Sequence, residues 1–452
     1  MNLKNSLNTS DNSCADFPET QMKKGRNLFI CEGITARSIN VLTTGAFLSG
    51  FIKLLGAADS FNGIIGAIPT IAGVVQLLSP IFLERLRRRK TLVAVLSFVH
   101  RILLSLMFFV PLFVKDTSTR FSIIIIVSII SYCSLAFMTP AASNWMVSLT
   151  DSKVRGRYFG KRDSFLLAIS TILSLAVGKV LDIYRNNNME YYGFIIIAFI
   201  LIALTCANTG FVTRIPEPEV KLTHSIPKLK DIITKPMRDN GFRKVVIITV
   251  LWNIALQVGA AFFSVYMVSG LDLPYSYITI MTTFGSLIAV VFARLYGKLA
   301  DKTSWEFVTM VCIGVLSMCH LMWALTNKSN VYYLLPFSQF LSGAAWGGIN
   351  IAIFNIQFRY APEEGRTMYI GFNAAVGGVI GFTVAMIGAR IVSVLDGVTF
   401  SIGNMTFGNM QTVFGISAIM LFICAVSIKI LFRKEICSIK MFFYEFKHTL
   451  IR

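Results

Sequence analysis

Gly45-Ala46-Phe47-Leu48-Ser49-Gly50-Phe51-Ile52-Lys53-Leu54-Leu55-Gly56 has a counterpart 214 residues later, where Gly259-Ala260 opens and Gly270 closes a stretch of equal length. Further pairs follow in the same order. The turn Pro80 to Arg85 answers Gly297-Lys298-Leu299-Ala300-Asp301-Lys302, Asn144 answers Asn355, and Gly156-Arg157 answers Gly365-Arg366, with offsets between 209 and 217. Each match alone is weak, because Gly-Ala and Gly-Arg pairs are common. Four in one order mark a chain written twice in the same direction.

What is written twice is apolar. Of 452 residues 55% are hydrophobic and 14% charged, and mean hydropathy is +0.67. A soluble domain carries nearer a quarter of charged residues, so these side chains are too few to cover soluble cores, and the bilayer must serve as solvent. Apolar runs of roughly 20 residues, the length that crosses hydrocarbon, recur near 28–54, 61–82, 91–114, 121–148, 164–184, 192–213, 244–268, 276–297, 306–326, 331–357, 368–392 and 411–432. They are far longer than the alternating segments of a barrel, so they must be helices. The expectation is an all-α membrane protein of twelve transmembrane helices in two six-helix pseudo-repeats. Its parts are a polar tail over 1–27, a bundle over 28–213, a linker over 214–243, a second bundle over 244–432 and a tail over 433–452.

The formal charge of +19 is distributed unevenly. About 31 of the Lys and Arg residues fall on the side of the amino terminus and about 5 on the other, which puts both termini in the cytoplasm. Basic runs such as Arg85 to Lys90 are not interleaved with the aromatic platforms that bind single strands, so nucleic acid is not an expected partner. The eight cysteines form no Cys-x-x-Cys, the four histidines are scattered, and neither His-Glu-x-x-His nor Gly-x4-Gly-Lys-Ser/Thr occurs. No metal, no cofactor and no enzymatic role is expected. The linker holds Pro216, Pro218, Pro227 and Pro236, and its stretch Ile226 to Met237 alternates apolar residues with lysines. It reads either as a short helix on the membrane surface or as a solvated connector.

A charge at mid-bilayer costs about 2.5–3.5 kcal/mol on insertion scales, so each one asks for a reason. Arg101 lies some ten residues into span three, too deep to reach the headgroups, and needs a polar neighbour such as Gln76. Glu32 is an acid lying within a span. It is either the titrating group of a proton-coupled process or an interfacial carboxylate paired with a loop arginine. Arg37, Asn40 and Thr44 share one face of span one, which is wasteful against lipid and sensible against water. Span ten carries a second stripe, Gln339, Gly343, Trp346, Asn350 and Gln357; span seven offers Trp252, Asn253 and Gln257; span four ends in Asn144-Trp145. The bland reading of all these is hydrogen-bonded glue between helices.

Gly297 to Lys302 resembles the loop signature of the Major Facilitator Superfamily. Glu32-Gly33, Gln76-Leu77-Leu78-Ser79-Pro80 and Arg155-Gly156-Arg157-Tyr158-Phe159-Gly160-Lys161-Arg162 are similar to a bacterial branch of it whose substrates are mostly unassigned. The first-half signature departs from the pattern, with Pro80 at the first glycine position, Glu84 for the aspartate and Arg87 for a later glycine. The resemblance implies that spans one, four, seven and ten line a central cavity. Arg37, Asn40, Thr44, Asn144, Trp145, Trp252, Asn253, Gln257, Gln339, Trp346 and Asn350 are then its candidate lining. It implies secondary active transport of a small organic solute by alternating access in the bacterial cytoplasmic membrane. Coupling would use protons at Glu32 and Arg101, efflux being favoured. An inner latch would use Glu84, Arg88 and Arg157 in the first half and Asp301 and Arg366 in the second. The expected partners are the solute, the bilayer and protons, with no obligate protein. An ion-independent uptake facilitator and a non-transporting receptor or assembly protein stay open.

Overall fold

The computed structural model describes residues 18–79, 82, 88–150, 155–217, 229–362, 366–402 and 405–436. These are helical almost throughout: α1 (Glu19–Leu42), α2 (Gly45–Leu54), α3 (Asp59–Ala72, continued as a 3-10 turn to Leu77), α4 (Lys90–Leu106, prolonged to Phe113), α5 (Thr117–Ser148), α6 (Arg155–Asn186), α7 (Glu190–Arg214), α8 (Leu229–Arg238), α9 (Asn240–Gln257), α10 (Tyr275–Lys302), α11 (Trp305–Leu325), α12 (Val331–Tyr360), α13 (Arg366–Val394) and α14 (Asn409–Leu431). A hairpin, β1 (Phe400–Ile402) with β2 (Met405–Phe407), sits between α13 and α14.

Among the described residues ten segments are long and apolar enough to cross a membrane. The counterparts of the expected first and tenth spans, α1 and α12, are 24 and 30 residues long but too rich in polar, Gly and Ser residues to stand among the ten. α1 also starts at Glu19, inside the expected polar tail. Ile172, Phe199, Val291, Ile419, Phe422 and Ile430 are all more than 60% exposed. Apolar faces of that size suit acyl chains, not water.

The chain forms two compact units, one of Met1–Thr44 with Leu78–Ile226 and one of Gly45–Leu77 with Pro227–Arg452. In the first, α1 packs against α6 and α7, and α4 against α5 and α7, around a core that includes Phe29, Met138, Trp145 and Val212. In the second, α12 packs against α10 and α11, α14 against α11 and α9, and α13 against α3 and α9. The sequence repeat has a structural counterpart. α1 ends at Leu42 and α2 restarts at Gly45, whose φ is +58°; α9 ends at Gln257, and helix resumes at Phe262–Val265 before a π turn over Tyr266–Gly270.

Helix starts are fixed by local chemistry. Asp116 Oδ2 accepts the Thr119 N–H at 2.7 Å, Asp239 Oδ1 accepts from Gly241 and Phe242, and Ser304 Oγ accepts the Phe307 N–H at 3.1 Å. The α4 start is capped from a distance: Glu217 Oε1 accepts the Arg89 and Lys90 N–H groups, where a carboxylate suits the positive helix end. Replacing the buried Ser304 by alanine orphans an N–H and is expected to cost about 1 kcal/mol, read as a lower thermal midpoint of the purified protein.

Candidate functional site

In the first unit a polar network is built around Glu32. Arg101 Nη2 of α4 donates to Glu32 Oε1 at 3.1 Å, and Arg162 Nη2 of α6 stands 3.9 Å from Oε2. The Arg101 side chain is 6% exposed and its second nitrogen donates to the carbonyl and hydroxyl of Ser97. α7 closes the ring: Asn208 Nδ2 donates to the Glu32 carbonyl at 3.0 Å and to Thr35 Oγ1 at 2.8 Å, while Ser97 Oγ donates to Asn208 Oδ1 at 3.3 Å. A buried guanidinium persists only when paired and hydrogen-bonded, and Arg101 meets both conditions. Its partner is Glu32 rather than the Gln76 that the sequence suggested, and the contact joins the two proposed coupling residues. Arg162 Nη1 also reaches the exposed carboxylate of Asp163 at 3.4 Å, so two carboxylates stand against the two guanidinium groups.

Arg162 was not singled out by the sequence, although it ends the Arg155 to Arg162 motif. Its side chain lies across α1, with Nε donating to the Phe29 carbonyl at 3.4 Å. The space exists because position 33 is glycine: a Cβ there would sit 2.5 Å from Arg162 Nη2. One turn earlier on α6, the Tyr158 hydroxyl donates to the Arg26 carbonyl at 2.9 Å. The i, i+4 spacing of Tyr158 and Arg162 was the available signal that both address one neighbouring helix.

Further along α1, the face that Gly33 shares with Arg37, Asn40 and Thr44 is less covered. Arg37 and Asn40 are exposed and Thr44 is half-buried, its hydroxyl donating to the Asn40 carbonyl at 2.7 Å. Asn144 of α5 is exposed as well. Trp145 points the other way: it is 5% exposed, meets Phe29 edge-on at 5.4 Å, and donates its indole N–H to the Pro216 carbonyl at 2.9 Å. It anchors the start of the linker.

In the second unit Trp252 of α9 and Trp346 of α12 meet edge to face at 5.7 Å. Asn253 and Gln257 face the glycines of α13, where a Cβ on Gly381 would stand 3.0 Å from Asn253 Oδ1 and 3.3 Å from Gln257 Cγ. The α12 stripe divides. Gln339 is taken up by the α10 seam, its Oε1 2.9 Å from where a Cβ on Gly285 would lie, whereas Asn350 is exposed.

Of the expected latch residues, Glu84 lies outside the described residues, as does the side chain of Asp301. Arg88 and Arg157 are exposed. The Arg366 guanidinium sits 5.6 Å over the Phe358 ring, its buried Nε without a hydrogen-bond partner among the described residues. The ion pair seen in this region joins Arg359 Nη1 to Glu306 Oε2 at 3.1 Å, Glu306 being wholly buried. Beside it opens a cavity of about 550 Å³ walled by Thr303, Ser304, Trp305, Asn355, Phe358 and Arg359. Neither Glu306 nor Arg359 was singled out, because each stands at a span end, where charge is unremarkable. Among the described residues no group of three His, Cys, Asp or Glu side chains could hold a metal.

The family model described as Major Facilitator Superfamily matches residues 33–386. No curated relative matches the sequence. Among solved structures, the chain is similar to the nucleoside transporter NupG, at 15% identity and a TM-score of 0.65, covering 91% of this chain and 99% of that one. It is similar to a bacterial homologue of the iron transporter ferroportin in the inward-facing state, at 12% identity and a TM-score of 0.65 over 91% and 98%. A D-xylose-proton symporter gives 12% identity and a TM-score of 0.63 over 91% and 96%. Likeness at these identities speaks for the fold.

Proposed function

Since the chain belongs to the Major Facilitator Superfamily and is a multi-pass membrane transporter rather than an enzyme, we propose that it moves a small organic solute by alternating access, coupled to protons and in the direction of efflux. One observation carries this reading: α1 leaves Arg37 and Asn40 uncovered within the expected first span, where lipid would penalise them. Polar side chains there make sense along a hydrated path. In the first unit Asn40 and Asn144 supply hydrogen bonds and Arg37 a positive charge, which suits a polar or amphipathic solute.

Glu32 is the proposed proton site and Arg101 its counter-ion. A proton on Glu32 would leave Arg101 without its anion, Arg162 keeping Asp163 at 3.4 Å, so protonation and the α1 contact with α4 through Arg101 oppose one another. That opposition converts a proton into a change in helix packing. Latching on the inner side is proposed for Arg88, Arg157 and Arg366, with Glu84 and Asp301, and Arg359 with Glu306 is added to it. The rival reading, ion-independent facilitation, is favoured by the fact that Glu32 already has partners within the protein.

The test is solute counterflow in proteoliposomes, screened over a panel of organic solutes with and without a pH gradient. Saturable flux driven by the gradient is expected. Glu32→Gln with Arg101→Gln, which removes both charges together, should keep the flux and lose its dependence on the gradient. Gradient dependence that survives in that double variant transfers coupling elsewhere.

On the outer side, α2 and α3, which belong to the second unit, are proposed to be the closed gate. Lys53 Nζ donates to the Val268 carbonyl at 3.2 Å and lies 3.9 Å from Asp272 Oδ1, while Phe47 stacks on Tyr275 at 6.1 Å. A reducible bis-thiol reagent bridging Lys53→Cys and Asp272→Cys is expected to stop flux, and reduction to restore it. Undiminished flux in the bridged protein rejects the gate.

A further inference from the structure

The linker helix α8, about 15 Å long, is absorbed by nothing above. It packs against α9 and α13 and buries Pro236. On another edge Ile233 and Met237, one turn apart, are 52% and 45% exposed. Lys235 and Arg238 are exposed too. α8 ends two residues before Asn240, the first residue of the membrane-crossing stretch Asn240–Gly270. Its depth is therefore the boundary where hydrocarbon gives way to headgroups.

Charge is one-sided in this region. Between Lys228 and Lys244 the sequence has six Lys or Arg residues against Asp231 and Asp239. Asp239 is occupied in capping α9, accepting from Gly241 at 2.8 Å and Phe242 at 2.9 Å. A connector in water would gain nothing from two large apolar side chains on one edge. A helix lying in an interface gains from both that edge and the cations beside it.

We propose that α8 lies in the headgroup layer of an anionic leaflet, with Ile233 and Met237 among the upper acyl carbons and Lys235 and Arg238 on lipid phosphates. This resolves the linker stretch in favour of the membrane surface and stands independently of the solute, its direction and its coupling.

The test uses the full chain in nanodiscs, with an environment-sensitive fluorescent amino acid at Ile233 and, as an aqueous reference, at Lys235. Brominated acyl chains are expected to quench the Ile233 probe well beyond the Lys235 probe. Replacing part of the phosphatidylcholine by phosphatidylglycerol should deepen that quenching, and Lys235→Glu with Arg238→Glu should abolish the increment. Equal quenching at the two positions, or an Ile233 probe shielded from both lipid and water-soluble quenchers, overturns the proposal. Quenching indifferent to phosphatidylglycerol overturns its anionic preference. Should the Ile233 variant fail to fold, the same probe at Met237 gives the same reading.

Discussion

Glu32→Gln is expected to lower the stability of the purified protein by about 3–5 kcal/mol, the cost of leaving a buried partner charge unpaired. The stranded group is Arg101, 5% exposed, whose remaining donations go to Ser97. Arg101→Gln should cost less, since Glu32 keeps Arg162 at 3.9 Å, and Arg162→Gln least, since that contact is the longer one and Arg162 is the more exposed cation. The double variant Glu32→Gln with Arg101→Gln should recover much of the loss, because no unbalanced pair remains between the two helices. Thermal unfolding followed by size-exclusion of the four variants gives the order. If Arg162→Gln unfolds as readily as Glu32→Gln, the description of Arg162 as the secondary contact is wrong.

The second large effect is a methyl group. Gly343 of α12 faces the Gly285 carbonyl of α10 so closely that a Cβ would overlap its oxygen, with Ile288 Cβ 2.9 Å away. Backbone cannot turn aside as a side chain can. Gly343→Ala is therefore expected to force α10 and α12 apart at roughly 3 kcal/mol, the upper part of the overpacking range. The same substitution at Gly314 of α11, where nothing lies within 4 Å, should stabilise by about 0.5–1 kcal/mol, because alanine gives up less chain freedom in a helix. Opposite shifts in thermal midpoint are the expected result; shifts of one sign would show that the α10–α12 seam yields.

The duplicated architecture was legible because membrane helices announce themselves by length and apolarity, and because the paired Gly-Ala positions mark real interruptions of α1 and α9. The same criterion loses force where function intrudes: α1 and α12 carry the polar stripes and are the expected spans that fall outside the ten. The need for a partner at Arg101 could be read from its depth. The identity of that partner could not, since Glu32 is 69 positions away in sequence and only the packing of α1 against α7 and α4 against α7 brings them together. Trp145 shows the converse limit. Its neighbour Asn144 does point outward, but adjacent residues on a helix are 100° apart, and which one meets the core depends on where α1 and the linker lie.

The placement of Trp145 also equips the protein with an internal optical gauge. The other four tryptophans, at 252, 305, 323 and 346, all belong to the second unit, so indole emission from the first unit has a single source. That source is hydrogen-bonded to Pro216 at the exit of α7. Any rearrangement that tugs the connecting segment away from its own bundle would free the indole N–H and register as a change in colour, without a label having been attached.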